Sequence, residues 1–90
     1  MEITSIFEIK NKLGLHAKAA GVFVRTTNKY ASDFFVKKDD VEVNGKSIMG
    51  LMMLAAAKGT KIMVKAKGND AKEALREIAE IIDKKFGEAE

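Results

Sequence analysis

The chain contains no cysteine, no proline and no tryptophan, and it has one histidine, His16, and one tyrosine, Tyr30. Without cysteine there is no disulfide framework, and a single histidine with no thiol is too few soft donors for a zinc or iron–sulfur site, so neither metal nor cofactor is expected. No apolar run approaches the roughly 18 residues that a membrane helix needs, and no charged segment leads into an apolar one, so no membrane insertion and a cytoplasmic address are expected. Ninety residues imply one domain over residues 1–90, able to bury roughly 60 to 65% of its unfolded surface but too small for an elaborate cleft. With 47% hydrophobic and 32% charged residues, no repeat and no low-complexity run, the chain reads as folded, with disorder expected only at Gly87 to Glu90.

What is present begins with a modest positive balance, +3 from 16 basic and 13 acidic residues. That is enough to favour a phosphate or an acidic partner surface and too little to imply nucleic acid. Lys61, Lys65 and Lys67 fall on one face of a predicted strand, but aromatic residues are not interleaved with them as a single-strand binding platform requires. The row reads as a solvated sheet face, with a small basic nucleic-acid module kept as the remote alternative.

Hydrophobic periodicity lays out the elements. Residues 3 to 9 alternate, with Ile3, Phe7 and Ile9 opposed to Thr4 and Glu8, which reads as a strand although Ile6 breaks the polar side. Asn11 to Gly14 is turn material, and Ala20, Phe23, Val24 and Thr27 recur at helical spacing until Asn28. Ser32 to Lys38 and Val41 to Val43 form a predicted hairpin around Asp39-Asp40. Ser47 opens an apolar helix running to Ala57 and stopped at Lys58-Gly59, with Leu51 and Leu54 as core. Thr60 to Lys67 alternates cleanly, Ile62, Val64 and Ala66 inward. Asn69-Asp70 with Glu73 gives a capped helix striped by Ala71, Ala74, Leu75, Ile78, Ala79, Ile82 and Phe86. The order βαββαβα, with one wet sheet face, predicts a two-layer α+β open-faced sandwich.

Gly14-Leu15-His16-Ala17-Lys18-Ala19-Ala20 places the lone histidine at a helix start. The first turn of a helix leaves backbone N–H groups, Ala17 among them, without intrahelical partners, and its dipole favours an anion. The same field disfavours imidazolium, so a neutral, nucleophilic ring is expected, with Lys18 as a cation for a phosphate. Read from residue types alone, His16 as a polar residue ending a loop and Lys18 as an ordinary solvated lysine are the favoured alternatives. A pairing of His16 with a second catalytic group is not readable, so an independent hydrolase has little support.

Leu13-Gly14-Leu15-His16-Ala17 and, some thirty residues on, Val43-Asn44-Gly45-Lys46-Ser47-Ile48-Met49-Gly50-Leu51-Met52 together resemble the HPr family, the histidine-containing phosphocarriers of the bacterial sugar phosphotransferase system. The resemblance covers nearly the whole chain and implies a four-stranded antiparallel sheet covered on one face by three helices. It implies that His16 accepts a phosphoryl group on Nδ1 from enzyme I and passes it to EIIA domains of sugar permeases. It further implies regulatory phosphorylation of Ser47 by HPr kinase/phosphorylase and binding of a transcriptional regulator. Partner docking would use Ile48, Met49 and Met52 with Ala20, Gly21 and Lys46, and Lys18, Arg25 and Lys46 would steer acidic partners.

The family run usually reads His-Ala-Arg-Pro, whereas this chain has His16-Ala17-Lys18-Ala19. Lysine keeps the charge and loses the planar two-pronged contact, and Ala19 restores an N–H that proline lacks. The change fits slower transfer, a paralogue of the nitrogen-related or regulatory kind, or engineering. Ser47 is expected to cap its helix whether or not it is modified, because the dipole favours both arrangements. A monomer is expected, since a carrier that docks on several partners needs a free face.

Overall fold

The structure is a computed structural model describing residues 1–90. Four strands, β1 (Glu2–Glu8), β2 (Asp33–Lys38), β3 (Val41–Asn44) and β4 (Lys61–Lys67), form one antiparallel sheet in the order β1-β4-β2-β3. Three helices, α1 (Ala17–Thr27), α2 (Ile48–Met53) and α3 (Ala71–Asp83), complete the expected open-faced sandwich. No helix is long and apolar enough to cross a membrane.

The pairing register explains the single wet face. Val64 of β4 lies opposite Ser5 on one side and Val36 on the other, so Ile62, Val64 and Ala66 join Phe34 and Val36 on the inner face. Because strand side chains alternate, Lys61, Met63, Lys65 and Lys67 must point outward. The outer face carries its own ordering, with the Lys65 ammonium 5.2 Å from the Phe35 ring centroid. The inner face is covered by Ala20, Phe23 and Val24 of α1 and by Leu75, Ile78 and Ile82 of α3. Removing each large side chain of this set from water contributes about 1.5–3 kcal/mol.

Four sequence expectations need correction. The second helix stops at Met53 rather than Ala57, and Ala55 takes a left-handed φ of 50°. Tertiary hydrogen bonds outcompete helix propensity there: Leu15 N–H donates to Ala56 O at 2.9 Å, and Lys38 Nζ donates to the carbonyls of Leu54 and Ala55. Asp70 occupies the N-cap of α3 without a side-chain capping bond. Its carboxylate instead accepts from the amides of Ala31 and Ser32 and from the Ser32 hydroxyl, tying α3 to the loop before β2. Phe86 is buried but lies beyond α3, in a 3-10 turn over Lys85–Gly87, and Ala79 of the stripe is only half-buried. Finally, Gly87 to Glu90 is ordered. Lys85, Phe86 and Gly87 all have positive φ (56°, 56° and 80°), so the chain turns back on itself after α3. Left-handed conformations at two non-glycine residues cost about 1–2 kcal/mol each, and burial of the Phe86 ring offsets that strain.

Candidate functional site

His16 is the N-cap of α1, in extended backbone (φ −81°, ψ −178°), with its carbonyl accepting from Ala20 N–H at 2.8 Å. Its side chain makes no capping bond, and no acidic residue sits in the first turn, so the amides of Ala17, Lys18 and Ala19 begin the helix with the dipole uncompensated locally. Gly14 explains why the histidine is presented there. It has φ +70°, and a Cβ on it would stand 2.3 Å from Ala56 O, the oxygen that Leu15 N–H uses. Only glycine lets the loop pass this close to the Ala56 peptide.

The imidazole is not alone. Its Nε2 lies 2.6 Å from Oε2 of Glu88, whose side chain is 11% exposed against 31% for His16. The other Glu88 oxygen accepts from Nδ2 of the buried Asn11 at 3.1 Å, and the same Nδ2 donates to Gly14 O at 2.7 Å. Asn11 thus clamps the loop before His16 to the C-terminal tail, while its Oδ1 is buried without a partner. Glu90 adds a second clamp, its carbonyl accepting from Lys12 N–H at 2.5 Å. Burial works against ionisation of Glu88, but the bonds from Asn11 and His16 and the charges of His16 and Lys18 outweigh it, holding the carboxyl below its usual range. From sequence, Asn11 reads as turn material and the tail as disordered; no local signal in either segment reports a partner more than seventy residues away.

A shallow cavity of ≈ 490 Å³ opens beside the ring, lined by Lys12, Leu13, His16, Lys18 and the tail from Gly87 to Glu90. On its other side His16 borders an apolar hollow formed with Leu13, Leu15, Met52 and Ala55. That hollow continues into exposed apolar surface on α2, where Met49 and Met53 are 71% and 73% exposed and Ile48 and Met52 are also open to solvent. An imidazole, a helix dipole, a free cation at Lys18 and an adaptable apolar shelf therefore occupy one side of the molecule.

The family model for the PTS HPr component phosphorylation site matches residues 3–84. The chain belongs to the HPr family. It is 54% identical over 83 residues to the phosphocarrier protein HPr of Neisseria meningitidis serogroup A, covering 92% of this chain and 93% of the relative. The crystal structure of HPr-C-His from Thermoanaerobacter tengcongensis superposes with a TM-score of 0.90 at 44% identity, covering 100% of this chain and 99% of that one. The crystal structure of Crh, a catabolite-repression protein of Bacillus subtilis solved as a domain-swapped dimer, superposes at 0.74 with 43% identity, covering 88% and 91%. Since that relative is a dimer, membership in the HPr family carries no oligomeric state by itself.

Of the residues singled out from sequence, the fold brings His16, Ala17, Lys18 and Met52 to one place and sets Ile48 and Met49 on the same shelf. Ala20 does not belong with them: it is 0% exposed, packed in the core, and offers a partner no surface. Gly21 is half-buried. Lys46 is half-buried, its Nζ donating to Tyr30 O at 2.9 Å and lying 5.7 Å from the Phe34 ring centroid. Ser47 caps α2 as expected, its hydroxyl oxygen accepting from Gly50 N–H at 3.0 Å.

Proposed function

We propose that this HPr-family chain is a phosphoryl relay, accepting a phosphoryl group on His16 from phosphorylated enzyme I and passing it to EIIA domains of sugar permeases. The observation that supports this most is the position of the imidazole over the uncompensated N-terminus of α1, with the exposed Lys18 in the same cavity. Amide dipoles and one cation stabilise a transferred phosphoryl group without enclosing it, which suits a carrier that must also release it. The apolar shelf of Ile48, Met49 and Met52 gives partner proteins an anchor beside the reacting nitrogen. In this reading the chain acts in the cytoplasm as a monomer, and Ser47 is a site for regulatory phosphorylation.

A regulatory role like that of a catabolite-repression protein is the second reading. It is favoured by the likeness to Crh and by Lys18-Ala19 standing where the family carries arginine and proline. One experiment separates the two. The protein is incubated with phosphoenolpyruvate, magnesium and a heterologous enzyme I and weighed intact. One acid-labile phosphate, absent in His16→Ala, supports the relay. No transfer, with Ser47 still labelled by HPr kinase, supports the regulator.

A further inference from the structure

We infer that Met49, Met52 and Met53 of α2 form a reversible oxidation site whose sulfoxides weaken partner docking beside His16; this rests on the relay reading above. The chain has no cysteine, so its five methionines carry all of its sulfur. Methionine is an adaptable filler of apolar interiors, yet none of the 20 residues of the hydrophobic core is a methionine. All five are exposed, Met1 by 69%, Met49 by 71%, Met52 by 38%, Met53 by 73% and Met63 by 41%, and three of them fall within the six residues of α2. That helix sorts its side chains. Leu51, with Leu54 just beyond the helix, is buried in the core, whereas the three methionines are left in solvent. Met49 and Met53 are one turn apart and share a face. Met52 joins Leu13, Leu15 and His16 around the apolar hollow. An oxidant therefore meets thioethers on the docking shelf and none in the interior.

The step is a two-electron oxygen transfer with hydrogen peroxide as the oxidant. A sulfur lone pair attacks one peroxide oxygen, the S–O bond forms as the O–O bond breaks, and the proton on the transferred oxygen passes to the departing hydroxide. Sulfur is oxidised to the sulfoxide and the peroxide is reduced to water. The reverse change, by methionine sulfoxide reductases, takes two electrons from a dithiol and releases the oxygen as water. Oxidation replaces a flexible apolar side chain by a polar, chiral one. In the free protein the new oxygen on Met49 or Met53 stays hydrated, so the fold does not oppose it. In a docked complex the same oxygen must leave water for an apolar partner surface, which is unfavourable without a hydrogen bond. Oxidation therefore acts on association. It leaves His16, Lys18 and the first turn of α1 chemically unchanged, because none of them carries sulfur.

The test treats the full chain with graded hydrogen peroxide, locates the added oxygens by peptide mass, and compares it with a variant carrying Met49→Leu, Met52→Leu and Met53→Leu. Met49 and Met53 are expected to oxidise ahead of Met63. The KM for this chain in phosphorylation by enzyme I with phosphoenolpyruvate should then rise roughly 10-fold, the range for burying one unpaired polar group, with kcat and the urea midpoint little changed. Sulfoxide reductases should restore the original KM. The triple variant, whatever its own KM, should keep that value through the same treatment. An unchanged KM once the α2 sulfoxides have formed overturns the inference. So does an equal rise in the triple variant, or a rise that follows a fall in urea midpoint. If the reduced wild type takes no phosphate, the relay reading fails by itself, and calorimetric affinity for enzyme I before and after oxidation still decides the inference. If the reduced protein does not bind enzyme I at all, both fall.

Discussion

Gly14 lies against the peptide of Ala56 so closely that a Cβ on residue 14 would stand 2.3 Å from the carbonyl oxygen and 3.0 Å from Ala57 Cα. Both contacts are with backbone, which cannot swing aside as a flexible side chain would. Gly14→Ala must therefore break the Leu15–Ala56 hydrogen bond or shift the loop carrying His16, and its φ of +70° adds left-handed strain. The expected loss of stability is about 2 kcal/mol or more, read from urea unfolding. A change under about 0.5 kcal/mol would show that the loop is free to move.

Tyr30 gives a second check, because it is the only tyrosine in a chain without tryptophan. Its hydroxyl donates to Glu77 Oε1 at 2.5 Å, and Glu77 also takes the Lys29 ammonium at 2.5 Å. The bond to Glu77, then burial and nearby carboxylates, push the phenol from 10.0 up to about 12. A raised pKa means that the protonated phenol stabilises the fold fully below pH 10.0, and that this contribution is lost as pH rises toward about 12. Phenolate absorbance should report a midpoint near 12 in the wild type and a lower one in Glu77→Gln. Equal midpoints would show that the bond does not persist in solution.

Ser47 accepts the Gly50 amide at the start of a six-residue helix. So short a helix depends on its cap and its packing. Ser47→Ala should destabilise the protein by about 1 kcal/mol, and the Gly50 amide should exchange faster with deuterium. Protection of Gly50 equal to that in wild type would mean that Leu51 packing alone holds the turn.

Lys18 and Ala19 offer a gain rather than a loss. Arginine at residue 18 would place two parallel N–H groups toward a phosphoryl group where lysine places one point charge, and proline at residue 19 would stiffen the first turn of α1. Lys18→Arg combined with Ala19→Pro should raise the rate of phosphotransfer from enzyme I. Rates equal to or below wild type would show that the native pair does not impair transfer.

The alternation of Ile62, Val64 and Ala66 against lysines, and the stripe of Ala74, Leu75 and Ile78, were enough to determine a one-faced sheet covered by helices, because periods of 2 and 3.6 are local consequences of backbone geometry. The helix start at His16 and the cap at Ser47 were legible for the same reason. Where α2 ends was decided by tertiary structure, since Leu15 and Lys38 claim the carbonyls of Leu54, Ala55 and Ala56 from elsewhere in the chain. The same holds for Asp70, which reads locally as a helix cap and is spent on Ala31 and Ser32. Ala20 sits at a plausible surface position in the sequence, and only packing against the core removes it from the surface. Above all, the carboxylate on His16 comes from a residue 72 positions away. No sequence period links two such segments, and only the reversal of the chain after α3 brings Glu88 to the ring.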